Sequence, residues 1–420
     1  MSKFKECDIK EFGLIPERWI VPKIGYYFDM SSGDSLTSKD IDEYEGTYTV
    51  YGANGERGYY SRYNTHGKHI LLGRVGALCG NVHVIHGKNW VTEHALILTK
   101  RKEEIVEEYF GYLFETMNLG QYSKSSAQPV ISVDTISQLK FIVPSVDEQK
   151  RIAGYLDFKC SEIDSLRADI EAEIETLEEY KKSVITEAVT KGLDRNAPMK
   201  DSGIEWIGNI PKQWSLIPFR YVLNERTEKN NPIRTDERLS LSIDIGVTLY
   251  ADKTTNLDRY KDDVSQYKIA HEGDLVMNSM NVIVGAVGVS KWFGCVSPAY
   301  YTYFDNEPDS VTSRFCDYIF RTPSMRKILF SLGKGIMAID RGEGRVNTCR
   351  LKVSREDLRK IVLPIPDVAE QRKIVRYLDD KCLEIDSIVE DKKKQLNVLA
   401  DYKKSLIYEY VTGKKEVPNE

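Results

Sequence analysis

The chain has 420 residues, 41% hydrophobic and 29% charged, a globular balance in a length that exceeds what one hydrophobic core usually accommodates, so two or more domains are expected. No uncharged apolar run approaches the roughly 18 to 20 residues that cross a bilayer, and the opening MSKFKECDIKEFG lacks the apolar stretch of a secretory signal, so a cytoplasmic protein with no membrane partner is expected. With 59 Lys and Arg against 64 Asp and Glu, the formal charge of -5 argues on its face against a nucleic-acid partner.

In chain order, residues 45–99 alternate short strand-like stretches (YTVYG, HILLGRVG, NVHVI, ALILT) with Gly and Asn, which predicts a β-rich module. A helix is expected around 103–118, then a short extended segment, LKFIVP. From residue 147 the period changes to helical: Ile163, Ile170, Leu177 and Val184 fall seven apart, with Leu166 and Ile174 on the same stripe. Residues 191–213, rich in Gly, Pro, Asn and Asp, read as a linker. Residues 239–304 then repeat the strand-like pattern (LSLSID, DLVMNSM, VIVGAVGVS, YYTYF), followed by a helix around 311–331 and the extended KIVLPIP. A second long helix carries Ile385, Ile388, Leu396, Leu399 and Leu406. Pro144 and Pro366 precede the two long helices, each with an Asp behind it (Asp147, Asp367) as a candidate cap, and Gly192 and Gly413 stand at their far ends.

The long helices are copies of each other. Residues 148–190 and 370–412 align without a gap over 43 positions with 22 identities, at an offset of 222. IPERW (Ile15 to Trp19) returns as IPKQW (Ile210 to Trp214) at an offset of 195, so the ends repeat while the middles diverge. A 43-residue helix spans roughly 65 Å, enough to cross a domain and project beyond it, and two such helices can pair.

The order of variable β-rich module, long helix, variable β-rich module and long helix, with IPxxW openings and EQxxI helix starts, resembles the specificity subunit of type I restriction-modification systems, over nearly the whole chain. The resemblance implies an α+β protein with two β-rich target recognition domains separated by two long antiparallel coiled-coil helices in a pseudo-twofold internal repeat. It divides the chain into target recognition domain 1 (1–146), spacer helix 1 (147–190), a linker (191–213), target recognition domain 2 (214–367), spacer helix 2 (368–412) and a tail (413–420). Helix pairing is expected through Ile163, Ile170, Leu177 and Val184 on the first helix and Ile385, Leu396, Leu399 and Leu406 on the second. The resemblance implies double-stranded DNA as ligand, read as a bipartite asymmetric site. The implied partners are two methyltransferase subunits and, when present, restriction or translocase subunits. S-adenosylmethionine, ATP and Mg belong to those partners, and this chain binds no cofactor. One stretch, GKGIMAIDRGEGRVNT (Gly333 to Thr348), has no clean counterpart in SKSSAQPVISVDT (Ser123 to Thr135).

Charge by segment answers the objection raised by the total. Residues 147–190 hold 6 basic and 12 acidic residues, net -6, whereas 314–360 hold 12 and 5, net +7. Residues 51–90 carry Arg57, Arg62, Lys68, Arg74 and Lys88 against Glu56 alone, with Tyr51, Tyr59, Tyr60 and Tyr63 interleaved. Such patches neutralise phosphates while polar and aromatic side chains probe base edges, although a solvated basic face has the same composition. The DNA-contact candidates are Arg57, Arg62, Arg74, Lys124 and Gln128 in the first module, and Lys334, Arg341, Arg345 and Arg350 in the second.

No catalytic or metal residues are expected. Residues three apart on a strand face opposite sides, so the HxxH pairs His66/His69 and His83/His86 do not converge as zinc ligands. Glu148-Gln149-Lys150 mimics half of a nuclease site but opens a helix, where Glu suits the positive dipole end. The seven scattered cysteines, with no C-x-x-C pair, read as reduced thiols. There is no phosphate loop, no Asn- or Asp-Pro-Pro-aromatic motif and no G-x-S-x-G or H-E-x-x-H. A non-catalytic chain is expected; the rivals are a self-sufficient DNA methyltransferase or nuclease with an unfamiliar motif, and a coiled-coil scaffold whose modules bind something other than DNA.

Overall fold

A computed structural model describes all residues except 1, 2, 8, 10, 11, 124–128, 244, 253–262, 308, 309, 337–349, 419 and 420. The chain is mixed helix and sheet, α+β as expected, and divides into two units. The first comprises residues 1–171 and 392–420, the second residues 172–391. No helix among the described residues is long and apolar enough to cross a membrane.

The first unit begins with a hairpin, β1 (Phe4–Glu6) and β2 (Leu14–Pro16). Its strands continue as β3 (Phe28–Ser32), β4 (Tyr48–Gly52), β5 (Gly55–Tyr60), β6 (Thr65–His66), β7 (His69–Gly73), β8 (Val82–Ile85), β9 (Lys88–Val91) and β10 (Ala95–Lys100). They form two four-stranded sheets, ordered β3-β10-β7-β8 and β5-β4-β9-β6. Helices α1 (Glu107–Thr116) and α2 (Val133–Gln138) follow, then the first long helix α3 (Val146–Lys191). The core is aromatic. Phe28, Phe110, Phe114 and Phe141 meet in edge-on and tilted pairs 5.3–6.1 Å apart, and α3 adds Ile152, Leu156 and Ile163. Rings at this spacing favour such offset geometries over face-to-face stacking.

The second unit opens on another hairpin, β11 (Met199–Asp201) and β12 (Asn209–Pro211), inside the segment expected to be a linker. Its register reproduces that of the first: Lys5 faces Ile15 and Lys200 faces Ile210, and each lysine Nζ donates to the carbonyl of Trp19 or Trp214 at 2.6 Å. Gly13 and Gly208 both take positive φ (61° and 68°), which only glycine adopts at little cost. The 195-residue offset therefore extends back to residue 4, well before IPERW.

Beyond it lie β13 (Ser215–Pro218), β14 (Asn224–Glu225), β15 (Leu239–Ser242), β16 (Gly246–Leu249), β17 (Lys268–Ala270), β18 (Leu275–Asn278), β19 (Val287–Val289), β20 (Gly294–Val296) and β21 (Tyr300–Phe304). Then come α4 (Thr312–Arg321), α5 (Pro323–Leu332), β22 (Lys334–Ile336), β23 (Arg350–Lys352), α6 (Arg355–Lys360), β24 (Val362–Ile365) and the second long helix α7 (Val368–Val411). The four-stranded sheet β14-β21-β18-β19 repeats the order of β3-β10-β7-β8, while β15-β16, β17-β20 and β22-β23 are separate ribbons. Trp214, Phe219, Tyr303, Phe315 and Phe320 fill this core together with Ile374, Val375 and Leu378 of α7.

Within each unit the two long helices run antiparallel. In the first, Tyr155 meets Tyr410 and Asp164 meets Lys403; in the second, Lys181 meets Asp386 while Gly192 lies against Glu370. Of the expected pairing residues, Ile163, Ile170, Val184, Ile385 and Leu406 are buried, and Leu177, Leu396 and Leu399 are half-buried. Leu166 and Ile388, expected on the stripe, are 48% and 40% exposed and lie off it. Helix α3 has no buried residue from 171 to 183, and α7 none from 390 to 405. Most buried helix positions pack on the domain cores, while Ile170, Ile385 and Val389 are buried outside those cores.

Helix starts differ between copies. Ser145, one residue before α3, donates from Oγ to Glu148 Oε2 at 2.8 Å, and the Glu148 amide donates back to Ser145 Oγ at 3.4 Å. This is a capping box, so Asp147 is not the cap. In the second copy Asp367 does cap, accepting from the Glu370 amide at 2.8 Å. The Gln of each EQ pair is buried and donates to the prolyl carbonyl of Pro144 or Pro366 at 2.9–3.0 Å, which holds the incoming chain against the helix start.

Candidate nucleic-acid interface

In the first unit the basic and aromatic residues gather on β4, β5, β9 and their turns. Arg57 on β5 is exposed, and its Cδ lies over Gly52 of β4, where a Cβ would come within 2.7 Å. Arg62 is exposed in the following turn. Tyr48 packs edge-on to Tyr63 and Tyr60 edge-on to Trp90, each at 5.0 Å, and Lys88 Nζ sits 4.7 Å from the Tyr63 ring centre. The result is a plate of aromatic rings edged by cations, a surface suited to a sugar-phosphate chain or an exposed base.

Arg74 is different. It is half-buried after β7, donates from a guanidinium nitrogen to Ser32 Oγ at 3.1 Å, and its Nε is buried without a hydrogen-bond partner among the described residues. Lys124 and Gln128 lie outside the described residues, as do Arg341 and Arg345. Arg350 belongs to β23 by its backbone. Lys334 on β22 is 78% exposed and 3.2 Å from Asp357. The structure thus places Arg57 and Arg62 near one another, and Lys334 and Arg350 on the two strands of one ribbon.

The other side of β5 is acidic. Glu56 helps line a cleft of about 690 Å³ shared with Tyr51, His83, Glu108, Tyr112 and Glu115. Burial lowers the pKa of His83, favouring the neutral ring, and raises that of Glu115. Such a wall repels phosphate. Arg57 is the extra residue of a β-bulge opposite Val50 and Tyr51; it reaches over Gly52 while its neighbour Glu56 lines the cleft.

His69 uses both ring nitrogens, one near Thr99 Oγ1 (3.0 Å) and one near the His66 carbonyl (3.1 Å). Among the described residues no group of three or more His, Cys, Asp or Glu could hold a metal ion. Glu148 is engaged at the helix start by Arg18 Nε (3.0 Å) and Trp19 Nε1 (3.2 Å) as well as Ser145. Burial opposes its ionisation, but these hydrogen bonds outweigh that and leave its pKa below the ordinary glutamate value.

A gathering of cations that sequence reasoning missed lies in the second unit. Lys268 opens β17 and Arg355 opens α6, and both lie by the Tyr301 ring, with Glu225 against Arg355; Lys352, at the end of β23, is close enough for its charge to act on Lys268. Lys352 and Arg355 fall in the +7 segment; Lys268 is more than 80 residues upstream and joins them only through folding.

The chain thus combines two β-rich units, two long helices and clusters of cations on the units. Residues 16–176 match the family described as Type I restriction modification DNA specificity domain. It is 36% identical over 137 residues to the type I restriction enzyme EcoprrI specificity subunit of Escherichia coli, a match covering 32% of this chain and 34% of that one, about a third of the relative's length. It is 24% identical to the MjaVIII specificity subunit of Methanocaldococcus jannaschii, across 100% of this chain and 98% of that one. A solved structure described as "structural basis underlying complex assembly and conformational transition of the type I R-M system" shares the fold, with a TM-score of 0.66 at 13% identity over 96% of this chain and 99% of that one.

Proposed function

We propose that this chain is the DNA-reading, non-catalytic subunit of a type I restriction-modification complex. Two recognition modules, residues 1–146 and 214–367, each read one half of a bipartite asymmetric site in double-stranded DNA. The helices 147–190 and 368–412 act as an antiparallel coiled-coil ruler for the unread spacer, joined through 191–213 and ended by the tail 413–420. Two methyltransferase subunits, and restriction or translocase subunits where present, dock on this frame and carry out methyl transfer and cleavage. S-adenosylmethionine, ATP and Mg are held by those partners, and the assembly is cytoplasmic.

The observation that carries this reading is one ion pair made twice. Asp164 with Lys403, and Lys181 with Asp386, bond at 2.6–2.7 Å, and Asp164 and Asp386, like Lys181 and Lys403, are equivalent positions 222 residues apart. A surface that pairs with its own copy in this reciprocal way is the signature of a twofold interface. A chain with two related modules suits two half-sites on one duplex.

The test is to produce the chain with its methyltransferase and map methylated adenines genome-wide. A split sequence is expected, methylated only when both subunits are present. Exchanging 214–367 for the corresponding segment of a relative should change one half of that sequence. Methylation or cleavage by this chain alone, or a change in both halves on exchange, overturns the reading.

A further inference from the structure

In the second unit the cluster around Tyr301 is built for an anion. Lys268 is half-buried; its Nζ donates to the Tyr300 carbonyl at 2.6 Å and lies 5.6 Å from the centre of the Tyr301 ring. The Arg355 guanidinium lies 5.7 Å from the same centre, with Nε 2.9 Å from Glu225 Oε1. On β23, Leu351 is 3% exposed and points inward, so Lys352 points out. Across the ribbon Lys352 stands directly opposite Lys334, and like charges in that position destabilise a strand pair.

The local carboxylates do not neutralise this charge. Glu225 is taken by Arg355, and Asp357 by Lys334 and the Ser354 hydroxyl. Among the described residues neither Lys268 nor Lys352 has a carboxylate within ion-pair distance. Burial depresses the ammonium pKa of Lys268 most and the Arg355 charge depresses it further; Glu225 pulls the other way, and Lys352 adds the smallest depression. Mutually repelling cations held near one another cost free energy in the empty protein, and a bound oxyanion returns it.

We infer that Lys268, Lys352 and Arg355 form a cradle for a phosphodiester of the DNA backbone, anchoring the second unit on its half-site without reading bases. The inference rests on the proposed DNA-reading function. Point-charge lysines suit phosphate contacts, whereas base readout favours bidentate groups such as Arg on guanine or Asn and Gln on adenine. The same oxyanion chemistry occurs in a free nucleotide, so the test separates the two.

The full chain, co-produced with its methyltransferase subunit, is titrated with labelled duplexes with and without the recognition sequence, between about 50 and 300 mM salt. Lys268→Gln and Lys352→Gln should each weaken both duplexes by the same factor, roughly three- to tenfold, and together lower the slope of log Kd against log salt by about 1 for each phosphate left without its cation. Lys352→Arg should keep the slope, and Lys352→Gln, which removes a like-charge pair with Lys334 at an exposed position, should keep or slightly raise the melting temperature. An unchanged slope, or weakening confined to the cognate duplex, overturns the cradle. So does ATP at millimolar concentration that competes with duplex in the wild type and not in Lys352→Gln, since the site then holds a nucleotide. If the wild-type complex binds no duplex at any salt, the proposed function itself fails.

Discussion

Glu148 joins three side chains, Ser145, Arg18 and Trp19. It completes the capping box with Ser145 and accepts from Arg18 and Trp19 of the IPERW segment, which ties the start of α3 to the amino-terminal hairpin. The equivalent Trp214 has its indole nitrogen buried without a partner among the described residues, because Gln213 replaces Arg18 and Asp367 replaces the serine cap. The first junction is therefore the more ionic of the two. Replacing Glu148 by Gln should cost about 1–2 kcal/mol at pH 7, the worth of hydrogen bonds to a charged acceptor at a partly exposed site. Because its folded-state pKa is depressed, that contribution is complete above the unfolded value near about 4.3 and is lost as pH falls through the folded value. Urea melts at pH 7 and about pH 3.5 should show the gap between wild type and Glu148→Gln closing in acid. A gap independent of pH would mean that the carboxylate contributes by shape alone.

Among the elements, α3 and α7 show how little of a 46- or 44-residue helix needs to be buried. Each is anchored chiefly where it meets a domain core, and α3 has no buried residue over 171–183 nor α7 over 390–405. Helices in proteins draw most of their stability from packing of this kind, not from propensity. Leu406, 4% exposed in the aromatic core of the first unit, and Leu396, half-buried in the solvated stretch, are both apolar heptad positions. Leu406→Ala should destabilise the first unit by about 2–4 kcal/mol. Leu396→Ala should lose only about 1 kcal/mol, in proportion to the smaller apolar area withdrawn from water. Denaturant titration of both variants decides this, and equal losses would show that the stripe is packed evenly along its length. The reciprocal pairs Asp164–Lys403 and Lys181–Asp386 are half-exposed, so they contribute register more than stability.

For the whole molecule, the overall charge of -5 conceals segregation. The net -6 of residues 147–190 lies on a helix, while the basic excess lies in two segments of the β-rich units, net +4 over 51–90 and net +7 over 314–360. On the proposed reading the helices set the distance between half-sites. Inserting one heptad into α3 between residues 171 and 183, and one into α7 between 393 and 405, adds about 10 Å to each, equivalent to roughly three base pairs. Neither stretch has a buried residue to disturb. Methylation mapping should then return the same two half-sites with a longer spacer, and an unchanged spacer would remove the ruler from the mechanism.

The sequence by itself determined the α+β class, the two long helices and their repeat, because those rest on information held within one segment: a seven-residue period and 22 identities at a single offset. It could also have revealed the second hairpin, since Lys5, Ile9 and Gly13 recur as Lys200, Ile204 and Gly208 at the offset of IPERW. Composition located the basic segments but not which of their cations converge. Arg74 turned inward toward Ser32, and Leu166 and Ile388 fell off the stripe, because burial depends on what packs against a position as well as on its periodicity. Only the tertiary structure brought Lys268 on β17 beside Lys352 and Arg355. Electrostatic sites are assembled from charges distant along the chain, and their meeting is decided by strand pairing and core packing, which no local pattern encodes.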